Sequence, residues 1–403
     1  MIDVDKIYKL IEDGDAETLA KYIKETGLEI RDGKIFGSKK VVSSAVEYWD
    51  KRQLVRKINL NSAYGALLNS HCRYYDKRIG QSVTLTGRSI VKHQCSFTNE
   101  ILSGVYQHDG DAIIYSDTDS SYFSAYPMLK EQIESGDIEW TTEKCIELYD
   151  NIGEQINESF PDFMYKAFHT PLKNGAIIKA GRELVADRGL FIVPKRYAVN
   201  IIDKEGKRKD KDGKRGEIKA MGLDLKRSDT PKHVQEFLMQ ILTMVLYGKE
   251  RDETIETVKT FKRQFSSSSP WTMGSPKSVN NLTTYGEKLD NDHKATLPGH
   301  VKASINWNKL REMHGDKRSM KITDGMRIIV CKLLPNPMGF TSIAYPTDET
   351  RLPPWFIELP FDTTLMTATI IDKKLENLLG VLNWDFKEDI NVSTTFGDLF
   401  SFE

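Results

Sequence analysis

Cysteine is scarce: four residues in 403, at Cys72, Cys95, Cys145 and Cys331, with no Cys-x-x-Cys pair. Such spacing argues against a zinc module and for reduced thiols in a cytoplasm. Long apolar runs are missing as well. Nothing approaches the roughly 18 residues of a membrane span, so no membrane partner is expected. The opening Met1-Ile2-Asp3-Val4-Asp5 has neither a basic n-region nor an apolar h-region, and no signal peptide is read there. There is no excess of one charge sign either, with 57 Lys and Arg against 58 Asp and Glu, so the chain is not a globally basic nucleic-acid binder. Lone histidines such as His71, His93 and His233 lack ligand spacing and are expected to be packing or surface residues. No internal repeat is found.

What is present fits an ordinary globular chain, 39 % hydrophobic and 29 % charged, long enough for two or three domains. Charge is uneven along it: residues 171–240 hold 17 Lys or Arg against 10 Asp or Glu. A phosphate-binding surface needs such a regional bias, although a solvated lysine-rich face has the same composition. The first 70 residues read as mostly helical, with Asp3 and Asp15 as caps, a break over 27–37 holding an Asp32-Gly33 turn, and a helix over 43–68 carrying Val46, Trp49, Leu54 and Ile58 at helical spacing. A helix is expected over 81–105, a strand–turn–strand over 111–125, and a helix over 142–167. Strands broken by Gly181, Gly189 and Pro194 follow in 177–199, then an exposed charged hairpin loop over 203–216. Thr230 is expected to cap a helix with Pro231 in its first turn. A second helix covers 253–265, and strands at 327–333 and 341–345 precede a helix near 363–381.

Two constellations carry chemistry. In Tyr115-Ser116-Asp117-Thr118-Asp119-Ser120 a tight turn lets two carboxylates two residues apart point toward one place, where a divalent cation offsets their repulsion. Asp-x-Asp is also common in plain polar turns. In Lys57-Ile58-Asn59-Leu60-Asn61-Ser62-Ala63-Tyr64-Gly65, the i, i+4, i+7 spacing puts Lys57, Asn61 and Tyr64 on one helix face. A lysine there can hold a triphosphate and a flat aromatic can abut a base pair. An ordinary amphipathic helix ending at Gly65 has the same pattern.

Taken together and in order, these motifs resemble the second and third conserved motifs of family B DNA polymerases of the T-even-like phage type. Ser116 stands where the family's Tyr-Gly-Asp-Thr-Asp-Ser signature has glycine. Arg73-Tyr74-Tyr75-Asp76, Arg182-Glu183, Lys195-Arg196-Tyr197 (with Pro194 where many members have lysine), Lys219-Ala220-Met221-Gly222 and Asp229-Thr230-Pro231 continue the resemblance. It implies an α+β right-hand polymerase: the second half of the fingers over 1–69, the C-terminal palm over 70–222, and a mixed thumb over 223–403. It further implies template-directed deoxynucleotidyl transfer with two Mg²⁺ ions, Mn²⁺ being an alternative. By that matching Lys57, Asn61, Tyr64 and Thr118 bind the nucleotide, and Asp117 and Asp119 are catalytic together with Lys57. Asp117, Asp119 and Glu183 hold metal, while Lys195, Arg196, Tyr197, Lys219 and Gly222 hold primer-template DNA. Phe396, Leu399, Phe400 and Phe402 in the final residues resemble a sliding-clamp-binding peptide. The expected setting is the cytoplasm of an infected bacterial cell.

The family's Asp-x-x-Ser-Leu-Tyr-Pro motif, which supplies a third carboxylate, does not precede Lys57. Ser124-Ala125-Tyr126-Pro127 is similar but follows the acidic hairpin and has no aspartate three residues before its serine. The exonuclease and N-terminal regions of the family have no counterpart either. The expectation is therefore a fragment, or the C-terminal half of a split polymerase that is inactive without an N-terminal polypeptide. The alternative is a non-catalytic DNA-binding or assembly subunit that retains the fold.

Overall fold

The computed structural model describes residues 4–31, 34–37, 39–211, 213–291, 296–382 and 384. The chain divides into two compact units, one of residues 1–94 with 118–120 and one of 95–117 with 121–403. The acidic hairpin therefore contributes its turn to the first and its strands, in the main, to the second.

In the first unit, α1 (Val4–Glu12) and α2 (Ala16–Thr26) precede a short hairpin of β1 (Leu28–Arg31) and β2 (Lys34–Gly37). Asp15 caps α2 as expected, accepting from the Thr18 N–H at 3.0 Å, and Gly27 ends it at a φ of 67°. Asp3, Asp32 and Gly33 lie outside the described residues. Helix α3 (Lys39–Leu68) runs straight through Gly65, which is thus interior and not a cap. The apolar residues that announced it, Val46, Trp49, Leu54 and Ile58, all stand exposed. Helix α4 (Lys77–Ser103) starts four residues before the expected 81 and carries the chain into the second unit at Cys95.

The second unit opens with the β3 (Ile113–Asp117) and β4 (Ser120–Phe123) hairpin. The Ser124–Pro127 tetrapeptide starts α5 (Tyr126–Glu134), with Pro127 in its first turn. Helix α6 (Thr142–Phe168) keeps Ile152, Ile156, Phe160 and Met164 buried at i, i+4 spacing, and α7 (Leu172–Gly175) packs on it. A four-stranded antiparallel sheet follows: β5 (Leu184–Val193) pairs with the central β6 (Arg196–Lys204), whose other edge takes β7 (Lys207–Arg208) and β8 (Glu217–Met221).

In the charged 203–216 segment β6 and β7 form a hairpin turned at Glu205 and Gly206, as expected, and ion pairs tie its described residues to their surroundings. Asp203 is buried and takes Arg182, which also binds Asp150 of α6. Arg208 pairs with Asp210 and Glu143, and Lys209 with Glu217. The segment itself is basic, seven Lys or Arg against four Asp or Glu, and Glu143 and Glu217 from outside it supply part of the opposing charge.

The remainder comprises α8 (Lys232–Leu246), α9 (Arg251–Ser266), β9 (Ser275–Ser278), α10 (Leu282–Asn291), α11 (Gly299–Met313), β10 (Arg327–Lys332), β11 (Ser342–Pro346), α12 (Pro354–Ile357), α13 (Thr363–Thr367) and α14 (Lys373–Leu379). Helix α8 is capped differently from expectation. Pro231 holds the cap position, and the Thr230 hydroxyl, instead of accepting from a helix N–H, donates to the Asp224 carbonyl at 2.9 Å. Strands β11, β10 and β9 form an antiparallel sheet in that order. The expected helix over 363–381 is interrupted by a π turn at 368–372. One contiguous core joins Leu190, Ala198 and Ala220 of the four-stranded sheet to Phe237 and Ile241 of α8, Val258 of α9, Trp307 of α11 and Leu375 of α14.

Candidate active site

The acidic hairpin turns on two residues, Thr118 and Asp119, with Thr118 at a φ of 54°. Left-handed backbone suits this kind of tight hairpin turn. Such a turn sets 115 opposite 122 and 116 opposite 121. The pairs face different surroundings. Tyr115 and Tyr122 stack at a centroid distance of 6.4 Å and join Phe191 and Tyr197 in a four-ring cluster, with Tyr122 and Tyr197 hydroxyls 3.3 Å apart. Burial, and then the bond to Tyr197, push the Tyr122 phenol well above its ordinary range. Ser116 and Ser121 hydrogen-bond the thiol of Cys95 on α4, whose burial raises it while the two hydroxyls oppose the rise. A serine in place of glycine at 116 thus has a partner.

Lys195 lies at the turn between β5 and β6 with a φ of 66°, a conformation that costs a non-glycine residue energy. Its N–H donates to the Tyr115 hydroxyl at 2.9 Å. Its carbonyl faces Gly222, where an added Cβ would lie 2.1 Å from the Lys195 oxygen. Its ammonium reaches Asp117 Oδ2 at 3.2 Å. Residues 115, 117, 195, 197 and 222, spread over more than 100 positions in the sequence, are thereby brought together. Arg196, next to them, binds Asp224 at 3.3 Å.

Glu183 accepts from Lys219 Nζ at 2.8 Å, so its carboxylate is already engaged. Among the described residues no group of three His, Cys, Asp or Glu side chains is arranged to hold a metal ion. In the first unit Lys57 and Asn61 stand exposed on α3, and Tyr64 shares a hydrogen bond with Thr84 of α4 at 2.9 Å. Asp119 is exposed at the hairpin turn. Phe396, Leu399, Phe400 and Phe402 lie outside the described residues. The sequence reading overlooked Tyr122 and Phe191, although the 115–122 opposition follows from the turn length alone. It also overlooked Asp224, Lys374 and Asn377, which no local pattern marks. No helix among the described residues is long and apolar enough to cross a membrane.

Residues 39–283, more than half the chain, match the model of DNA polymerase family B, and the chain belongs to that family. It is 28 % identical over 385 residues to the DNA-directed DNA polymerase of Enterobacteria phage T4, a match covering 89 % of this chain and 41 % of the phage protein. The same enzyme of Escherichia phage RB69 is 28 % identical over 357 residues, covering 85 % and 38 %. DNA polymerase 1 of Pyrococcus abyssi is 26 % identical over 220 residues, 54 % of this chain and 22 % of the archaeal one. The chain thus spans about two fifths of the length of its phage relatives.

Proposed function

We propose that this chain is the C-terminal part of a phage-type replicative polymerase, contributing the second half of the fingers (1–69), the C-terminal palm (70–222) and the thumb (223–403) to template-directed DNA synthesis. The observation that carries the reading is the Lys195–Asp117 contact at 3.2 Å. It joins the residue read as touching the primer to a residue read as holding metal. The basic 171–240 region supplies sequence-independent phosphate contacts through Lys195, Arg196 and Lys219, with Tyr197 and Gly222 shaping the track. Lys57 neutralises the incoming triphosphate while Asn61, Tyr64 and Thr118 border the nascent pair.

Asp117 and Asp119 are the hard oxygen donors that Mg²⁺ prefers. They do not complete a site among the described residues, since Glu183 is held by Lys219. The reading therefore assigns the missing carboxylate, with the exonuclease, to an N-terminal polypeptide or segment. The exposed apolar residues Val46, Trp49, Leu54 and Ile58 on α3 offer that part a surface. The tail 396–403 is read as the clamp ligand, and the bacterial cytoplasm as the setting.

Primer extension by the purified chain, with and without the cognate N-terminal polypeptide, tests this. Synthesis is expected only from the combination, and Asp119→Ala should abolish it while primer-template binding survives. Persistent synthesis by the Asp119→Ala assembly would leave the chain a scaffold, the non-catalytic alternative.

A further inference from the structure

The guanidinium of Arg196 is not simply presented to solvent. It is held from behind by a polar cluster that links the four-stranded sheet to α14. Arg196 Nη2 donates to Asp224 Oδ2 at 3.3 Å, and the same oxygen accepts from Asn377 Nδ2 of α14 at 3.2 Å. Asp224 Oδ1 lies 3.8 Å from Lys374 Nζ, also on α14, and 3.7 Å from Arg227 Nε. Lys374 donates in turn to the Thr230 hydroxyl at 2.9 Å, and Thr230 donates to the Asp224 carbonyl. The Asp224 and Lys374 side chains are only 14 % and 13 % exposed, against 30 % for Arg196. In such a setting charge contacts are far less screened than at the surface.

Two features separate this from an ordinary ion pair. First, Asp224 faces Arg196, Lys374 and Arg227, and Asp229 binds Arg227 at 3.0 Å and Lys277 at 2.9 Å, so two carboxylates meet four cations and the cluster keeps an excess of positive charge. Asp224 can orient Arg196 without cancelling it. Second, Arg196 Nε is buried without a hydrogen-bond partner among the described residues, beside a small cavity that Asp224, Lys374 and Leu378 help to line. A guanidinium selected only to tie two elements together would be expected to satisfy both of its edges.

We infer that Asp224 is a positioning residue for Arg196, and that Asn377 and Lys374 of α14 hold Asp224 so that the guanidinium is aimed at the DNA phosphate backbone. This rests on the reading of Arg196 as a primer contact. It extends that reading by making α14 part of the DNA-gripping apparatus through its hold on Asp224.

The test is a double-substitution cycle on the full chain, following binding of a fluorescent primer-template duplex by anisotropy across a salt series. Arg196→Ala should weaken binding about tenfold and lower the salt slope by about one phosphate contact. Asn377→Ala should weaken binding about threefold where Arg196 is present and leave it unchanged where residue 196 is alanine. Asp224→Asn should behave like Asn377→Ala but more strongly. Because Asp224→Asn leaves Lys374 without its carboxylate and can disturb folding, Asn377→Ala is the decisive variant, with its thermal midpoint checked alongside. Equal effects of Asn377→Ala in both backgrounds would mean that α14 acts independently of Arg196, and would overturn this inference alone. Wild-type binding by Arg196→Ala would overturn the primer-contact reading and the inference with it.

Discussion

Lys195 shows how much local constraint one residue can carry. Its left-handed backbone is met by the Tyr115 hydroxyl on the N–H side and by Gly222 on the carbonyl side. Gly222 itself sits at a φ of 64°, so alanine there suffers both an unfavourable backbone and a 2.1 Å collision with the Lys195 oxygen. Gly222→Ala is expected to cost about 1–3 kcal/mol, read as a lower urea midpoint with unchanged slope. A null effect would mean that the turn relaxes freely. The residue types of this site were legible in the sequence because they fall in short ordered motifs, Tyr115 to Ser120 and Lys195 to Tyr197. Their mutual arrangement was not. The Lys195–Asp117 pair spans 78 positions, and nothing in local spacing reveals that the β5–β6 turn is folded onto the acidic hairpin.

At the scale of elements, periodicity served well where one face is buried and poorly where burial is two-sided. Helix α6 keeps its apolar residues at i, i+4, and its expected range of 142–167 matches Thr142–Phe168 almost residue for residue. Helix α11 was not expected at all. Its polar Ser304 and Asn306 are buried beside Val301, Trp307 and Leu310, so the apolar stripe that would announce it is diluted. Hydrogen bonds make that burial tolerable: Asn306 donates to the Ser342 carbonyl at 2.8 Å. The entry to α8 is an element-level feature with a pH signature. The Arg227 guanidinium, and then Lys277 on β9, hold the Asp229 carboxyl well below the ordinary carboxylate range. A depressed folded-state value contributes stability above the unfolded value of about 3.9, and that contribution is lost as pH falls below it. The thermal-midpoint penalty of Asp229→Asn should therefore be full near pH 6 and shrink on acidification below about pH 4. A penalty independent of pH would show that charge at this position does not matter.

Over the whole molecule, the family model stops at residue 283 while the phage relatives align with 89 % and 85 % of the chain. The physical continuity lies in the core that runs from Leu190 to Leu379. Trp307, fully buried among Trp355 and Phe356, sits within it. Trp307→Ala should cost about 3–5 kcal/mol. It should also lower one common transition, with strand and helix signals lost together in circular dichroism. A second, unshifted transition would show that sheet and helices unfold separately. The same shared core has a mechanical consequence. A close-packed interior passes strain on, so a disturbance at Leu375 of α14 is expected to reach Ala198 and Ala220 of the four-stranded sheet through the core they share.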